Sequence, residues 1–480
     1  MKKIVFVIVI FTILGAGLFY FRDAIFPIVE KDALIIVMNT AATDISPYNL
    51  DLNNATRIQN IYEGLVAFDS NLKIIPALAV SWGSLTQTSW EFRLREGVLF
   101  HDGSPFDAYD VVETFEKAKS STNVQIVAYI NSIQDITVMD GHRVIITTHS
   151  PDPLLLSKLT KVFISKEDNI GTGPYELDEW VPGDHLSLKA FPDYWGQKPE
   201  FQKARYEVVS NRTERNRMFE NGDIDILVGL GAEQALELPP AQVISQYGLE
   251  VNFLMFNLDD PLFKDRDIRE AVRSLIDPER IEAIGNKFVR RSNQFIAPGV
   301  FGYNQHIPVY LYDPKKEASD LFGKRLERLN FDYLSTYQTL SEYLVSQLRK
   351  AGFSVKANAV EPNDLLAKIG RNESQLFLIG WQAEDGDAGG FFESFIYSLG
   401  PLNNGRYKNP EADALIFKSR AEMDPQKRLA LLQEIGDKTD KDLIGIPLFE
   451  TSRLYGIKQG IQWKPRLDGQ VLAAEVSKLK

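Results

Sequence analysis

The stretch of residues 90–111, WEFRLREGVLFHDGSPFDAYDV, constrains the fold more than any other part of the chain. It opens with Trp90, Phe92 and Leu94 alternating with charged side chains, which is the period-two pattern of a strand with one buried face. Residues 101–105 supply Asp, Gly, Ser and Pro, which favour a turn. Residues 108–119 then place apolar side chains along one side of a helix. The stretch therefore predicts a strand, a turn and a helix in direct succession.

Length and composition indicate a globular protein of more than one domain and exclude several classes of function. A chain of 480 residues exceeds what one hydrophobic core usually holds, which favours two or three domains. Its 44% hydrophobic and 25% charged residues are those of an ordinary globular protein. A net charge of -12 offers no basic surface for phosphates, so nucleic acid is not expected as a partner. The absence of cysteine excludes disulfides, thiol catalysis and a cysteine-based zinc site.

The N-terminal segment is apolar and long enough to cross a membrane. Residues 4–21 contain Thr12 as their only polar side chain, and as a helix they would measure about 27 Å. The segment is either a secretory signal or an uncleaved anchor. Cleavage at the small residues 15–17 would leave an apolar new terminus, which favours the anchor. Lys2 and Lys3 place the N-terminus in the cytoplasm. We expect a periplasmic protein tethered to the inner membrane by this helix, or released after signal cleavage.

Several further segments have recognisable local patterns. Residues 34–38 predict a buried strand, and residues 58–65 predict a helical segment. Asp140 and Gly141 lie between two alternating apolar runs and predict a hairpin. In the element GTGPY at 171–175, the glycines are expected to adopt backbone angles closed to other residues.

The sequence carries no recognisable catalytic or metal-binding motif. The five histidines are scattered without the spacing of metal ligands. No GxSxG element occurs, and no spacing singles out one pair of acids as catalytic. The glycines at 171–175 are not followed by the Lys and Ser or Thr of a nucleotide-binding loop. We therefore expect neither enzyme activity nor a bound metal or cofactor.

The opening stretch closely resembles the signature of the family 5 extracellular solute-binding proteins, the peptide, oligopeptide and nickel binding components of ABC importers. The family writes this region as an aromatic strand followed by LRxGVxFHDGxPFxAxDV. Further similar elements extend from about residue 62 to residue 449. They are YEGL at 62–65, PALAVSW at 76–82, GTGPY at 171–175, DYWG at 193–196 and NGDID at 221–225.

The resemblance implies a two-lobed α/β fold of the periplasmic binding protein type. The family fold is type II-like, with mixed sheets joined by a hinge and an extra small subdomain in the first lobe. The apolar run at 252–257 is similar to the family's crossover into its second lobe. The expected domains are the N-terminal signal or anchor at 1–27, the first lobe with its subdomain at 28–257, the second lobe at 258–448, and a return to the first lobe at 449–480.

The resemblance also indicates where a ligand would bind, in the segment GWQAEDGD at 380–387. In peptide-binding relatives an Asp in this segment neutralises the free α-amino group of the peptide, and Glu384 occupies its position here. Burying an ammonium group is costly without an opposing charge, which gives this carboxylate a physical purpose. Trp381 is expected to form an apolar platform beside the charge, and Asp387 belongs to the same acidic cluster. The alternative is that the cluster is a solvated acidic loop.

Four more residues are candidates because they match family positions near the ligand. Asn257 follows the crossover strand, with a structural cap as its alternative role. Asn404 and Tyr407 belong to an element similar to the one that lines the family's cleft. Tyr62 belongs to the YEGL element, with a plain core aromatic as its alternative role.

The implied function is that of the substrate-binding component of an ABC importer. Such a protein binds peptides in an interlobe cleft, closes by a hinge and delivers its ligand to permease subunits, and we expect it to be a monomer. Within the same class, an oligosaccharide or another solute is the alternative ligand. Nickel ranks below peptide because no distinctive His or Cys constellation is present. From a different class, the scaffold would act as a membrane-anchored sensor or partner-binding module.

Overall fold

The computed structural model describes residues 33–49, 52–166, 169–313 and 328–479. The apolar segment 4–21 and the boundary expected at residue 27 lie outside these ranges. Within the ranges, no helix is long and apolar enough to cross a membrane.

A mixed sheet of eleven strands runs through the whole molecule. Strand Ala33–Met38 is parallel to both of its neighbours, as is strand Arg328–Leu334 towards the other end, whereas the strands in the middle are antiparallel. In spatial order the strands are Tyr175–Val181, His185–Ala190, Lys203–Val208, Ala33–Met38, Ile226–Val228, Gly445–Ile457, Val243–Phe256, Leu376–Gln382, Arg328–Leu334 and Ser354–Val360, with Val289–Arg291 pairing beside Gly445–Ile457.

Helices cover both faces of this sheet, and smaller sheets lie beside it. The helices are Leu52–Ile58, Ala108–Lys119, Val124–Ile130, Leu155–Leu159, Arg212–Glu220, Ala232–Glu237, Pro261–Lys264, Arg266–Ser274, Pro278–Ile284, Gln338–Lys350, Pro362–Gly370, Gly389–Phe391, Pro410–Ala421 and Pro425–Asp442, with short 3-10 turns at Pro240–Gln242, Asn286–Phe288, Ser335–Tyr337 and Ala473–Glu475 and a π turn at Phe392–Ile396. Three two-stranded pairs join Glu63–Gly64 with Phe163–Ile164, Val66–Phe68 with Ile74–Pro76, and Ile461–Gln462 with Ser477–Lys478.

The molecule has two lobes with separate hydrophobic cores. We call the part packed around strand Ala33–Met38 the first lobe and the part packed around strand Arg328–Leu334 the second lobe. After the second lobe the chain returns, because Val471, Ala473 and Val476 pack in the core of the first lobe. The mixed sheet and the two cores agree with the fold expected from the sequence.

Two long adjacent strands, Val243–Phe256 and Gly445–Ile457, connect the lobes. They pair antiparallel from Val243 opposite Gly456 to Met255 opposite Gly445. Their register shifts midway, between Tyr247 and Val251 and again between Asn252 and Phe253. Because such irregularities interrupt the ladder and bend a strand, the connection between the lobes is least regular at its centre.

The opening stretch of the sequence analysis forms a small subdomain of the first lobe. Strand Ser89–Leu94 lies in a four-stranded sheet with Ala79–Ser84, Arg143–Thr148 and Ile133–Asp140, and helix Ala108–Lys119 packs on this sheet. Asp107 begins the helix with a capping box, in which its carboxylate accepts a hydrogen bond from the backbone of the first turn and Asp110 accepts one from the backbone of Asp107. The predicted strand, turn, helix and hairpin are confirmed.

The helical segment predicted at 58–65 is wrong. Helix Leu52–Ile58 ends where the predicted helix would begin. Residues Glu63–Gly64 instead form a short strand that pairs antiparallel with strand Phe163–Ile164. A Cβ atom at Gly64 would lie 2.9 Å from the carbonyl oxygen of Leu159, so the backbones approach closely. Pairing with a distant strand therefore overrides the local apolar spacing.

The glycines of the GTGPY element are needed for a different reason from the one expected. Neither Gly171 nor Gly173 has a positive φ angle. Instead, a Cβ atom at Gly171 would lie 2.1 Å from the carbonyl oxygen of Ile61, and one at Gly173 would lie 2.5 Å from that of Asn60. Close packing of two backbone segments, and not a special backbone angle, requires glycine here.

Gly171→Ala is expected to destabilise the protein by about 1–3 kcal/mol, because the new methyl group forces the two backbones apart. Gly141→Ala is the matched control, since a Cβ atom there meets nothing within 4 Å. Urea unfolding of both variants measures the difference. Equal stability of the two variants would contradict the close approach at Gly171.

Candidate functional site

A cleft between the lobes brings together side chains from distant parts of the chain. The first lobe contributes residues from helices Leu52–Ile58 and Val124–Ile130, and the second lobe contributes the end of strand Leu376–Gln382. The space between them measures about 30 Å³. Its walls are Ala55, Gln59, Gln125, Tyr129, Lys161, Phe163, Gln382, Glu384, Asp468 and Gln470.

A larger cavity of about 300 Å³ adjoins the cleft inside the first lobe. Gln59, Lys161, Phe163 and Asp468 line both spaces, so the cavity extends the cleft into the first lobe. Its remaining walls combine apolar side chains such as Phe68 with polar and charged groups, among them Glu63, Arg466 and Glu475. This combination is typical of sites for small ligands.

Glu384 is the predicted site residue that reaches the cleft. Its side chain is exposed, and within the described residues no group donates a hydrogen bond to its carboxylate. The loop that carries it is fixed from both sides. Phe301 donates a backbone hydrogen bond to Gly386 at 2.8 Å, and Gly386 adopts a positive φ of 70° against the side chain of Leu72. The carboxylate is therefore free while its backbone is held.

The acidic side chains of this loop affect the pKa values of neighbouring groups, including a tyrosine on the opposite wall of the cleft. Burial raises the pKa of Asp385 to about 6, and the neighbouring charge of Asp387 adds to this effect. On the first lobe, burial raises the pKa of Tyr129 to about 12, with a further contribution from the charges of Glu384 and Asp385. The Tyr129 phenol is therefore a neutral hydrogen-bonding group that faces two acids.

Asp387, by contrast, is engaged inside the second lobe. Its two carboxylate oxygens accept hydrogen bonds from both terminal nitrogens of Arg428, at 2.5 and 2.8 Å, and both side chains are buried. One of these oxygens also accepts a hydrogen bond from the backbone of Gly389 at 2.7 Å. The acid thus holds the start of the short helix after the loop. Trp381 is half-buried and packs on the ring of Phe391, which belongs to the core of the second lobe, at a centroid distance of 5.2 Å.

Asn257 and Asn404 lie at the end of the second lobe away from the cleft. The Asn257 amide donates to Asn372 at 2.8 Å and to the carbonyl oxygen of Ser374 at 3.2 Å, so it ties the strand end to a neighbouring loop. Asn404 is half-buried, and the next residue, Gly405, lies against the backbone of Phe256.

Tyr407 and Tyr62 are both buried tyrosines. The Tyr407 hydroxyl donates to Asp442 at 2.6 Å within the second lobe. Tyr62 lines the first-lobe cavity, and its hydroxyl accepts a hydrogen bond from the backbone of Asn169 at 2.8 Å. The structure thus brings Glu384 to the cleft and Tyr62 to the adjoining cavity, and it places the other five predicted residues elsewhere.

Sequence reasoning missed most of the first-lobe wall of the cleft. Gln59, Lys161 and the helix that carries Gln125 and Tyr129 are three separate segments that share no motif. Asp468 and Gln470 come from the C-terminal tail. Only the folding of the tail back onto the first lobe places all these residues together. The one feature of the sequence that could have indicated this wall is a lysine, Lys161, just before the short buried apolar strand Phe163–Ile164.

Glu63 is a half-buried carboxylate in the wall of the first-lobe cavity. It accepts hydrogen bonds from Thr172 Oγ1 and the Tyr194 hydroxyl at 2.9 Å and from Trp195 Nε1 at 2.8 Å. Burial raises the pKa of Glu63 to about 7, and this effect outweighs the three donors, which favour the ionised form.

Glu63→Gln is expected to gain stability relative to the wild type as the pH rises from 5 to 8. Because the pKa in the folded state is about 7 and the ordinary value is 4.5, the folded state keeps a proton that the unfolded state has already released. The contribution of Glu63 to stability is therefore lost as the pH rises through about 7. We expect a change on the order of 1 kcal/mol, because the side chain is partly exposed.

Thermal unfolding of Glu63→Gln at both pH values measures this change, with Glu96→Gln as a control at an exposed position. A stability difference from the wild type that is the same at pH 5 and pH 8 would show that Glu63 does not release its proton in this range.

Within the described residues, no group of three or more His, Asp or Glu side chains is arranged to hold a metal ion.

The fold and the cleft together define a class of protein, the two-lobed binding protein with a ligand site between its lobes. The family model of the bacterial extracellular solute-binding proteins, family 5 (middle region), matches residues 73–403. The chain belongs to this family. Membership confirms the resemblance seen in the sequence, and it confirms the prediction that the chain is not an enzyme.

Known proteins are similar over most of the chain. The glutathione-binding protein GsiB of Salmonella paratyphi A is 24% identical over an alignment of 464 residues, which covers 88% of this chain and 90% of the relative. The dipeptide-binding protein of Escherichia coli K12 is 23% identical over an alignment of 431 residues, which covers 78% of this chain and 80% of the relative. The structure of DppA from Helicobacter pylori in complex with the peptide STSA has a TM-score of 0.73 at 24% identity, covering 93% of this chain and 98% of that one. The structural similarity to DppA shows that the two chains share the same fold.

Proposed function

We propose that the protein is the peptide-binding component of an ABC importer and that Glu384 pairs with the free α-amino group of the peptide. The observation that carries the proposal is the Glu384 carboxylate, which faces the interlobe cleft without a partner among the described residues. Relatives over most of the chain bind glutathione and dipeptides, both of which carry a free α-amino group.

The charge of the loop suits this role. An ammonium group that enters the cleft loses water, and it requires an opposing charge to offset that loss. Glu384 supplies one full negative charge, and Asp385 adds a second above a pH of about 6. Tyr129 and Gln125 on the opposite wall offer neutral groups that can hydrogen-bond to a peptide backbone.

A hinge at the centre of the two long strands would close the cleft. Arg453, on strand Gly445–Ile457, connects this hinge to both sides of the site. Its Nη2 donates to Gln382 Oε1 at 2.6 Å, and its Nη1 donates to the carbonyl oxygen of Leu467 at 3.0 Å. Gln382 lines the cleft, so movement at the hinge is transmitted directly to the ligand site. Closure would then present a surface to permease subunits.

The proposal includes the location of the protein. The apolar residues 4–21 and the preceding lysines support a periplasmic chain held at the inner membrane. We propose that it acts there as a monomer beside its permease. The expected division into lobes at residues 257 and 448 belongs to the same proposal. Both boundaries fall within or directly after the long connecting strands.

Native mass spectrometry of the gently purified full chain tests the proposed function. We expect co-purified masses that correspond to a set of short peptides. A screen by thermal unfolding against peptide and sugar panels extends the test, since a ligand at 100 times its Kd adds about 2.7 kcal/mol to stability. Bound sugars would keep the scaffold and overturn the choice of ligand. No ligand in either panel would favour a sensor or partner-binding role.

A further inference from the structure

Lys161 is a cleft residue whose charge the proposed function does not use. It lies between helix Leu155–Leu159 and strand Phe163–Ile164, and it lines both the cleft and the first-lobe cavity. Lys161 is half-buried, and burial lowers its pKa. The ammonium lies over the ring of Phe68, 5.7 Å from its centroid.

No acid of the described chain neutralises Lys161 by direct contact. The carboxylates of Asp468, Glu384 and Asp385 are near enough to act on it through space, but none forms an ion pair or hydrogen bond with it. Asp468 is already engaged, because both of its oxygens accept hydrogen bonds from Arg466 at 2.9–3.2 Å. The ammonium group thus keeps its donors free inside a partly enclosed site, an arrangement that is costly unless a ligand supplies the acceptor.

The cleft therefore has two free charges of opposite sign. Glu384 projects from the second lobe and Lys161 from the first lobe, and the two do not form an ion pair with each other. A ligand with only an ammonium group would satisfy Glu384 and leave Lys161 without an acceptor. A ligand with both an ammonium and a carboxylate would satisfy both groups and would hold the two lobes together.

We infer that Lys161 binds a carboxylate of the ligand, so that the cleft selects short zwitterionic peptides and discriminates against peptides whose carboxyl group is blocked. The inference rests on the proposed function, because it assumes that a peptide occupies the cleft. It limits the ligand to lengths at which one molecule reaches Glu384 and Lys161 within a single small site. The first-lobe cavity beside Lys161 then receives part of the ligand next to the carboxylate.

Affinity selection with tripeptide libraries tests this inference. The full-length protein is incubated with a library that has free carboxyl ends and with the same library as C-terminal amides, and the bound peptides are counted by mass spectrometry. We expect the wild type to retain the free acids at least about ten-fold over the amides, which corresponds to one charge-assisted hydrogen bond. Lys161→Met is expected to lose this preference, and Lys161→Arg is expected to keep it.

Two controls separate binding from folding. Lys161→Met should unfold at a temperature no lower than the wild type, because the ammonium group forms no ion pair or hydrogen bond with the described residues. Lys119→Met removes a lysine from an exposed surface pair and should leave the preference unchanged.

The outcomes distinguish this inference from the proposed function. If the wild type retains peptides but does not prefer the free acids, or if Lys161→Met keeps the preference, the role of Lys161 is overturned and the peptide-binding function stands. If the wild type retains no peptide from either library, the proposed function fails, and the inference fails with it.

Discussion

Glu384→Gln is expected to weaken the binding of peptides with a free α-amino group by at least about 30-fold, while the unliganded protein stays as stable as the wild type. Gln has nearly the same shape but no charge, so the peptide ammonium would enter the cleft without its counter-charge. Such a loss costs about 2 kcal/mol or more when the pair is shielded from water. Stability should not change, because the carboxylate has no hydrogen-bond donor among the described residues.

Isothermal titration of the variant with a short peptide measures this effect, with two further variants for comparison. Glu384→Asp restores the acid of the peptide-binding relatives and should retain most of the affinity. Glu373→Gln makes the same chemical change at an exposed position of the second lobe and should have no effect on binding. Unchanged affinity in Glu384→Gln would show that the acidic loop is only a solvated surface.

Arg428→Met is expected to destabilise the protein by about 3–5 kcal/mol, because it leaves the buried Asp387 carboxylate without its partner. The same variant also removes the hydrogen bond from Arg428 Nε to the carbonyl oxygen of Ser419, 3.1 Å long. Arg371→Met is the matched control, since Arg371 pairs with Glu373 at the surface, where ion pairs contribute about 1 kcal/mol or less. Urea unfolding of both variants measures the contrast.

A second variant shows whether Asp387 is a structural group or a ligand-binding one. Combining Arg428→Met with Asp387→Leu removes both charges, and replacing a buried pair by apolar side chains is often close to neutral. We expect the double variant to regain much of the lost stability and to bind peptide. A double variant that is stable but no longer binds peptide would show that Asp387 takes part in ligand binding.

The sequence predicts the large features of the fold because each rests on a long or local pattern. The strand, turn and helix at 90–119 depend on neighbouring residues only, and the structure has them at the expected positions. The apolar run at 252–257 predicts a strand, and its first five residues are the end of strand Val243–Phe256. The segment at 58–65 failed because its short strands are set by a partner a hundred residues away.

The candidate site was predictable only in part. The family motif identified the segment at 380–387, and two of its residues, Gln382 and Glu384, line the cleft. Which acid of the loop is free could not be read from the sequence, because the answer depends on Arg428, 41 residues beyond Asp387. The first-lobe wall with Lys161 and Tyr129 is assembled entirely by tertiary structure. When a charged side chain pairs with a residue far away in the chain, the residues around it in the sequence do not indicate that pairing.

The most direct test of the central claim is a pair of titrations of the wild-type protein, with one short peptide and with the same peptide acetylated at its α-amino group. Acetylation removes the positive charge that Glu384 is proposed to neutralise and leaves the rest of the peptide unchanged. We expect the free peptide to bind and the acetylated peptide to bind at least about 30-fold more weakly. Equal binding of the two peptides would contradict the account, because the cleft would then hold its ligand without the charge pair.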